Sequence, residues 1–329
     1  MKGMVITMKA VLIDEKKELY IGEVPYPELK SDTVIIKIEY AALNRADLLQ
    51  RAGSYPPPPG SPEWMGLEVS GGVVELGSEA AEKSGLAIGD KVCALLGGGG
   101  YAEYVGVEYV MVIKIPKGFT MAEAACIPEV YCTAYLNLFY EGAMKPGETV
   151  LVHAGASGVG IAVTQLAKLF GGRVIATVRG DEKAEAIRKF GADLIVNSKT
   201  TDVESIFDEN PVDLVIDCVG GDIMGKCFSK MNRYGRWIMI ATLGGDLTEI
   251  DLKETYKRGL RLIGSTLRSR TPETKAAILS HLVEDVYRYF ESGDLHPEIF
   301  AVYPFEQADA AQEAMKLNKN IGKILLKMG

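Results

Sequence analysis

The sequence predicts an α/β protein in which a doubly wound parallel sheet is inserted into a discontinuous β-barrel domain. Three observations support this prediction. A glycine-rich turn joins a strand to a helix near the middle of the chain, strands and helices alternate after it, and short strands with glycine turns precede it. A chain of 329 residues is long enough for two such domains.

The central segment is predicted to form a strand, a glycine turn, a helix and a second strand. Strand Val150–Val152 leads into a helical pattern, and a second strand follows at Arg173–Val178, which together form a dinucleotide-binding unit. Gly155 allows the sharp turn, Gly160 allows close helix packing, and the helix N-terminus offers N–H groups to a phosphate. Ser157 stands where the motif has its middle glycine. The predicted cofactor-binding residues of the turn are Gly155, Ala156, Ser157, Gly158, Val159 and Gly160.

The first third of the chain predicts a barrel-like β domain. Thr33–Tyr40 alternates in part between apolar and polar residues, as half-buried strands do, and further strands are predicted at Gly89–Ala94 and Ala102–Val105. Gly97–Gly100 is predicted to be a flexible turn, and a phosphate cradle is the alternative, although no helix follows the run. Ala42–Arg51 is predicted to be a short helix.

Prolines and a capping box mark the next boundaries. The prolines of Pro56–Pro59 stiffen a loop, for which a polyproline recognition segment is the alternative. Thr120–Glu123 is a capping box that opens a helical region. Pro128 is predicted to interrupt this region before a longer helix over Tyr131–Glu141.

Strands and helices then alternate, which indicates a parallel, doubly wound sheet. A helix is predicted over Pro272–Glu291, and the tail Gly322–Leu326 is predicted to be a strand that returns to the β domain. The cofactor domain, residues 128–267, is therefore expected to be an insert in a catalytic domain of residues 1–127 and 268–329. The predicted strands of the sheet are Val150–Val152, Arg173–Val178, Leu194–Asn197, Val212–Asp217, Arg236–Ala241 and Leu260–Gly264.

Composition and charge limit the classes of function. A hydrophobic content of 47% with 24% charged residues is ordinary for a globular protein, and the net charge of −8 argues against nucleic-acid and anionic-membrane partners. No apolar run reaches the length of a membrane span and the start lacks a signal-peptide pattern, so a cytoplasmic location is expected, with Met1 or Met8 as the start of translation. The five cysteines show no C-x-x-C spacing, which favours free thiols.

Several short segments carry a likeness to a known family: Ala42–Leu48, Gly53–Pro57, Gly66–Glu68, Gly100–Tyr104, His153–Gly160, Leu267–Arg270 and Asn318–Lys323. On these segments the chain resembles the medium-chain dehydrogenase/reductase superfamily. Within it, the chain resembles the zeta-crystallin-like, zinc-independent quinone oxidoreductases, above all the type induced by a tumour suppressor in mammals. The resemblance implies a GroES-like catalytic domain, a Rossmann domain and a homodimer, with a tetramer as the alternative.

The residues and the resemblance both argue against zinc. Zinc-containing dehydrogenases of the superfamily have a histidine before the glutamate of a G-H-E motif, and this chain has Leu67 at that position. Their clustered structural cysteines have no counterpart between Ala87 and Val107, where only Cys93 occurs. Because structural zinc needs about four ligands, and the histidines are scattered along the sequence, no zinc is expected.

The end of the second strand of the sheet bears on the choice between NADPH and NADH. NAD enzymes place an acidic side chain there, whereas NADP enzymes place basic or small groups around the 2′-phosphate. Arg179 lies near the position where an NAD enzyme has its acidic residue, and the resemblance assigns a contact with the 2′-phosphate to Lys183. NADPH is therefore the predicted cofactor. Asp181 is close enough that NADH is the lesser alternative. Ser198 and Lys199 stand where similar reductases have a tyrosine, and a solvated surface is the alternative role of the basic residues. Further cofactor contacts are predicted at Gly220, Leu243, Gly244 and Asn320.

The resemblance places three polar residues, Asn44, Tyr55 and Thr133, near the nicotinamide and the substrate. Asn44 and Tyr55 are expected to donate hydrogen bonds to a quinone oxygen as it gains charge. Thr133 is expected to touch the nicotinamide or its ribose, with a packing role as the alternative. Asp47 is expected to orient Arg51 or the Asn44 loop, or to form a simple ion pair within its helix. Solvent is expected to supply the proton, since a hydroquinone anion protonates readily.

The leading functional prediction is NADPH-dependent reduction of quinones, including ortho-quinones, by direct hydride transfer. The enzymatic alternative is reduction of activated C=C bonds in 2-alkenals, enones or enoyl thioesters, which requires proton delivery to carbon and would give Tyr55 a larger role. A third alternative is an NADPH-binding, crystallin-like or regulatory protein with low turnover. The expected partner of the enzyme is a small quinone or enone, with no nucleic acid and no membrane.

Overall fold

The computed structural model describes residues 6–329. In chain order the strands are β1 (Thr7–Ile13), β2 (Leu19–Pro25), β3 (Thr33–Ala42), β4 (Glu68–Leu76), β5 (Lys91–Leu95), β6 (Tyr104–Glu108), β7 (Val112–Lys114), β8 (Thr149–Val152), β9 (Arg173–Val178), β10 (Leu194–Asn197), β11 (Leu214–Asp217), β12 (Arg236–Met239), β13 (Arg261–Gly264), β14 (Ile299–Pro304) and β15 (Lys323–Lys327). The α-helices are α1 (Arg45–Ala52), α2 (Ser78–Lys83), α3 (Met121–Ala124), α4 (Pro128–Tyr135), α5 (Gly158–Leu169), α6 (Asp181–Ala186), α7 (Val203–Glu209), α8 (Gly221–Phe228), α9 (Leu252–Arg258), α10 (Pro272–Ser292) and α11 (Ala308–Lys316).

The described chain divides into two units. The discontinuous unit consists of the described residues up to Cys132 together with Arg268–Gly329, and the continuous unit is Thr133–Leu267. Each unit has a sheet and an apolar core of its own. The two units are described separately below.

The continuous unit contains a six-stranded sheet in the order β10-β9-β8-β11-β12-β13, and all neighbouring strands are parallel. This is the strand order of a doubly wound dinucleotide-binding fold, with the order reversing beside β8. The sheet buries Leu151, Ile175 and Val215 against helix residues such as Phe228. The prediction of a parallel, doubly wound sheet is therefore confirmed.

The discontinuous unit contains a seven-stranded sheet in which β14-β15-β3-β4-β5-β7 are neighbours and β6 also pairs with β3. The C-terminal strand β15 pairs antiparallel with β3 and parallel with β14. The predicted return of the tail to the β domain is thus confirmed. Val34, Ile36, Val69 and Leu326 form part of its apolar core.

The helical region after residue 120 differs in part from its prediction. The capping box is present, because Thr120 Oγ1 accepts from Glu123 N and the Glu123 carboxylate accepts from Thr120 N. Pro128, however, begins α4 instead of interrupting a helix, as a proline can in the first turn, where its missing N–H would have no partner. A π-helical segment over Leu136–Glu141 follows.

The glycine run Gly97–Gly100 was predicted to be a flexible turn, and the structure shows a packed segment. Gly99 N donates to Trp64 O at 2.9 Å, and the indole N–H of Trp64 donates to Gly99 O at 3.0 Å. A Cβ on Gly98 would lie 2.7 Å from Pro62 O, and one on Gly97 would lie 2.2 Å from a serine hydroxyl. Glycines are needed in this run because backbone and neighbouring side chains approach it closely.

Candidate active site

In the continuous unit, the glycine turn after β8 leads into the N-terminus of α5. Ser157 caps α5, since its Oγ accepts from Gly160 N at 3.0 Å. Within residues 6–329 the N–H groups of Gly158 and Val159 have no hydrogen-bond partner. A Cβ on Gly160 would lie 2.4 Å from Ala154 O, so the close backbone approach requires glycine. Two free N–H groups at the start of a 12-residue helix suit an anion.

The first residues of the turn are fixed by the neighbouring strand. Gly155 N donates to Thr177 O of β9 at 2.8 Å, and a Cβ on Gly155 would lie 2.8 Å from Ala176 Cβ. Ala156 is buried, with 4% of its surface exposed. The turn is therefore held by the sheet, while the helix end keeps its donors available.

The loop after β9 is organised by Asn197, a residue that the sequence analysis did not single out. Its Oδ1 accepts from Gly180 N at 2.9 Å and from Lys199 N at 3.1 Å, and its Nδ2 donates to Asp181 Oδ1 at 2.8 Å. The Asp181 carboxylate is thus engaged within the loop, whereas Arg179 is exposed. The available signal was an asparagine at the last position of a predicted strand, where its side chain can bind turn N–H groups.

The basic and hydroxyl residues predicted to bind the cofactor lie just after β9, on α6 and just after β10. Ser198 donates both its N–H and its hydroxyl to Val178 O, at 2.8 and 3.1 Å. Lys183 lies on α6 and is half-buried, and Lys199 is exposed. The structure therefore brings Arg179, Lys183, Ser198 and Lys199 to one strand-end region of the continuous unit.

The loops after β11 and β12 are bonded to each other. Gly220 has a φ of +67° and donates to both carboxylate oxygens of the buried Asp217, at 3.1 and 3.2 Å. Gly244 N donates to Val219 O at 2.7 Å. Leu243, at 53% exposed, projects from this pair of loops at the carboxyl end of the sheet. Asp217, which sequence reasoning missed, holds the first of the two loops.

His153, the first residue after β8, is buried rather than exposed as a base to substrate. Its Nδ1 lies 2.9 Å from Thr177 Oγ1, and its Nε2 has no partner among the described residues. Burial lowers the pKa of His153, although the charge of Asp217 opposes this shift. These contacts are those of a packed residue.

Two further predicted contacts have local structural partners. The carbonyl oxygen of Thr133 accepts from Asn137 Nδ2 at 2.7 Å, and the Thr133 side chain is half-buried. Asn320 lies in the discontinuous unit, where its Nδ2 donates to Gly322 O at 2.8 Å just before β15. Neither contact by itself identifies a cofactor-binding role.

In the discontinuous unit, Asp47 orients the loop that carries Asn44. Asp47 Oδ2 accepts from Asn44 N at 2.7 Å and from Tyr101 Oη at 3.0 Å, and Oδ1 accepts from Gly66 N at 3.2 Å. Burial raises the pKa of Asp47, and these three bonds oppose the rise. Arg51 binds other groups, so of the alternatives for Asp47 the structure favours orientation of the Asn44 loop.

Asn44 itself belongs to a buried polar cluster around Lys323. The ammonium donates to Glu68 Oε1 at 2.6 Å, to Leu43 O at 2.6 Å and to Asn44 Oδ1 at 2.8 Å. Asn44 Nδ2 donates to Glu68 Oε1 at 3.0 Å and to Ala42 O at 3.3 Å. Both N–H groups of the amide are therefore engaged within the protein. Donation from Asn44 to a substrate would require one of these bonds to break.

Arg268 holds the segment of Tyr55, a function that the sequence analysis did not foresee. Its guanidinium donates to Tyr55 O at 3.2 Å, to Gly97 O at 2.7 and 2.9 Å and to Gln50 Oε1 at 2.8 Å. It also lies over the Tyr55 ring, 5.1 Å from the centroid. The Tyr55 hydroxyl has no hydrogen-bond partner among residues 6–329, and burial and then the charge of Glu129 raise its pKa.

The donor set of the discontinuous unit does not fit a zinc ion. Leu67 is buried and offers no ligand atom, and the carboxylate of Glu68 is bound to Lys323. Cys93 is a buried thiol whose pKa is raised to about 12 by burial, so it stays protonated. Among the residues that the structure describes, no group of three or more His, Cys, Asp or Glu side chains could hold a metal ion.

Comparison with known proteins places the fold and the glycine turn in a family. Residues 158–284 match the family described as Zinc-binding dehydrogenase, and residues 30–117 match the Alcohol dehydrogenase GroES-like domain. Two proteins named Synaptic vesicle membrane protein VAT-1 homolog, from Danio rerio and Homo sapiens, are 30% identical over 317 and 318 residues. These matches cover 91% and 89% of this chain and 65% and 78% of those proteins. The chain belongs to the medium-chain dehydrogenase/reductase family.

Other members of the medium-chain dehydrogenase/reductase family are similarly related. Quinone oxidoreductase-like protein 2 of Bos taurus is 29% identical over 324 residues, which cover 97% of this chain and 92% of that protein. The solved structure of the CurF ER cyclopropanase from the curacin A biosynthetic pathway matches with a TM-score of 0.84 and 26% identity. That match covers 98% of this chain and 99% of the other.

Membership in the medium-chain dehydrogenase/reductase family makes the chain an oxidoreductase of a family that binds nicotinamide cofactors. The free N–H groups of Gly158 and Val159 fit the phosphates of such a cofactor. None of the helices within residues 6–329 combines the length and the apolar character that a membrane span requires.

Proposed function

We propose that this oxidoreductase uses NADPH to reduce quinones, including ortho-quinones, by direct hydride transfer without a metal ion. The observation that carries the proposal is the Tyr55 hydroxyl, which has no hydrogen-bond partner in the described chain. Arg268 bonds to the carbonyl oxygen of Tyr55 and lies over its ring. A phenol in this state can donate to a carbonyl oxygen as negative charge develops on it. NADPH, when bound, supplies the hydride, so the protein needs to provide position and hydrogen bonds.

The proposed phosphate-binding residues of the continuous unit are those of the glycine turn, Gly155 to Gly160. Preference for NADPH over NADH is supported by the exposed guanidinium of Arg179 and the nearby Lys183 at the end of β9. Asp181, the acid that would favour NADH, already accepts a bond from Asn197. We extend the cofactor site, as proposals, to Ser198, Lys199, Gly220, Leu243, Gly244 and Asn320.

We propose different roles for the polar residues of the discontinuous unit. Tyr55 donates to the substrate oxygen, whereas Asn44 and Asp47 act as positioning residues, because their polar atoms are engaged in the cluster around Lys323 and Tyr101. Thr133 is half-buried, and we propose that its hydroxyl contacts the nicotinamide or its ribose. The proposal that the enzyme works without zinc is supported by Leu67, which stands before Glu68 and offers no ligand atom for a metal ion.

A second candidate function is reduction of activated C=C bonds, in 2-alkenals, enones or enoyl thioesters. The likeness to an enoyl reductase-type cyclopropanase supports it, because that structure shares 26% identity over nearly the whole chain. Likeness to a quinone oxidoreductase-like protein over 97% of the chain supports the first candidate. The two reactions differ in where the proton goes, to oxygen or to carbon.

We also propose a homodimer, with a tetramer as the alternative. Strand β13 lies at the edge of the sheet of the continuous unit and pairs only with β12 within that sheet. Leu262 on this strand is 49% exposed. Addition of a second copy along β13 would cover this edge. Sedimentation of the wild type and of Leu262→Lys tests the proposal, since a monomeric wild type would contradict it.

The proposed function is tested by NADPH oxidation with protein that has been purified and treated with a chelator. The two substrates are 1,2-naphthoquinone and, separately, a 2-alkenal. Fast quinone reduction after chelation supports quinone reduction without metal. Fast alkenal reduction with slow quinone turnover moves the assignment to C=C reduction, and tight NADPH binding with little turnover of either supports a binding or regulatory protein.

A further inference from the structure

Glu129 is an acidic residue of the discontinuous unit that neither the sequence analysis nor the proposed function uses. It lies in the first turn of α4, and its backbone N–H donates to Glu68 Oε2 at 2.9 Å. Its side chain is half-buried, and no described residue donates a hydrogen bond to its carboxyl group. The N–H of Glu129 is therefore bonded to Glu68, while its carboxyl group receives no hydrogen bond from the described chain.

Charged side chains from several elements act electrostatically on this carboxyl group. Asp47 and Glu68 contribute negative charge, Lys275 and Lys323 contribute positive charge, and Glu129 also acts electrostatically on Tyr55 and Arg268. Burial, and then the charge of Glu68, raise the pKa of Glu129 to about 8, although the two lysines oppose the rise. Near neutral pH the group is therefore mainly a carboxylic acid, which can donate a proton.

Tyr55 is less suited to give up a proton. Burial and then the charge of Glu129 raise the pKa of the Tyr55 phenol, and the charge of Arg268 only partly opposes this. A phenol with a raised pKa can still donate a hydrogen bond, but it loses its proton reluctantly. A general acid works best when its pKa lies near the working pH, which is the condition that Glu129 meets.

We propose that Glu129 is the general acid of the reduction and that Tyr55 orients the substrate oxygen for it. This inference rests on the proposed function, because it names the proton source of the same site. It replaces bulk solvent as the direct donor. Solvent instead returns the proton to the carboxylate afterwards, which the partial exposure of Glu129 allows.

The step balances in atoms and electrons. When bound, the reduced nicotinamide would supply a hydride, that is, one hydrogen with two electrons, to the substrate and would itself be oxidised. The O–H bond of the Glu129 carboxylic acid breaks, its electron pair stays on the carboxylate, and a new O–H bond forms on the hydroquinone. With an activated alkene, the same proton forms a C–H bond at the carbon that carries the enolate charge.

The test compares wild type with Glu129→Gln, which keeps the size of the side chain and removes its transferable proton. The wild-type kcat is expected to be constant below pH about 8 and to fall above it, because only the protonated acid is active. Glu129→Gln is expected to lower kcat roughly 10-fold or more, most strongly with a 2-alkenal, and to abolish the break near this pH. Glu79→Gln is the matched control, because Glu79 forms an ion pair with Lys83 on the surface of the same unit.

A second readout does not depend on turnover. Infrared difference spectra during a pH titration are expected to show a carboxylic acid that ionises near pH 8 in wild type and in Glu79→Gln and is missing in Glu129→Gln. Unchanged cofactor binding by Glu129→Gln shows that the variant is folded. Wild-type kcat with an unaltered pH break in Glu129→Gln, or a carboxylate that is already ionised at pH 7 in wild type, overturns the inference and leaves the proposed function standing. A wild type that oxidises NADPH with neither substrate overturns the proposed function, and the inference with it.

Discussion

Lys323 Nζ lies 2.6 Å from Glu68 Oε1, and the two side chains are 4% and 0% exposed. The three N–H groups of the ammonium have three oxygen acceptors, on Glu68, Leu43 and Asn44, so the charge is fully hydrogen-bonded. A buried ion pair with complete bonding is tolerated, whereas a buried charge without its partner is costly. This pair joins β15 to β4, and the bond from Lys323 to Asn44 also ties β15 to the N-terminus of α1.

Lys323→Met should destabilise the protein because it leaves the Glu68 carboxylate buried without its cation. We expect the free energy of unfolding to fall by about 3–5 kcal/mol. Denaturation in urea measures the loss, and Lys327→Met, on an exposed position of the same strand, should change it by less than about 0.5 kcal/mol. A fall below about 1 kcal/mol in Lys323→Met would show that the pair contributes little.

Arg268→Lys should impair the use of substrate more than the binding of cofactor. The guanidinium makes four bonds from three nitrogens, to Tyr55 O, Gly97 O and Gln50 Oε1, and its plane lies over the Tyr55 ring. A lysine has three N–H donors on one nitrogen and no planar group, so it cannot reproduce this set. We expect kcat/KM for the quinone to fall roughly 10-fold, which corresponds to about 1.4 kcal/mol, with the Kd for NADPH unchanged. Arg288→Lys on the exposed face of α10 is the control, and equal effects of the two substitutions would contradict the positioning role of Arg268.

Arg179→Ala combined with Lys183→Ala should distinguish the two cofactors. If these residues bind the 2′-phosphate, the Kd for NADPH rises roughly 10-fold or more, while that for NADH changes little. Asn197→Ala is the comparison, because it releases Gly180 and Asp181 and should weaken both cofactors. Equal losses for NADPH and NADH in the double variant would argue against the 2′-phosphate assignment. Fluorescence titration measures each Kd.

His153 should make the protein less stable in mild acid. Its pKa is lowered in the folded state, so below the usual histidine pKa of about 6.5 the unfolded chain binds a proton that the folded chain does not. Stability is then lost as the pH falls below this value, by up to about 1.4 kcal/mol per pH unit from this one group. The melting temperature should therefore drop less between pH 7 and pH 5 in His153→Leu than in wild type. Parallel pH curves for the two proteins would show that His153 does not contribute.

The continuous unit was the more predictable part of the chain. Its strands are apolar runs ended by glycine or polar residues, and strands such as Arg173–Val178 and Leu194–Asn197 have the predicted bounds. The capping box at Thr120 depends on residues within one turn, so spacing along the sequence is sufficient to predict it. Pro128 was misjudged because a proline can begin a helix as well as end one.

The groups that the sequence analysis missed are those whose partners are far away along the chain. Arg268 bonds to Tyr55 and Gly97, and Lys323 pairs with Glu68, across separations of more than 150 residues. No local pattern links such positions, and an arginine or lysine in isolation predicts a solvated surface. The packing of Gly97–Gly100 likewise depends on the segment of Pro62 and Trp64 that lies against it.

The sequence by itself determined the parallel sheet, the glycine turn and the family, because hydrophobic periodicity and glycine spacing act over short distances. Only the tertiary structure decided which polar groups have partners and which do not. It engages the amide of Asn44 with Glu68 and Lys323, and it leaves the hydroxyl of Tyr55 and the carboxyl of Glu129 without hydrogen bonds in the described chain. The physical reason is that burial and charge at a point are set by every chain segment that meets there, and only folding brings those segments together.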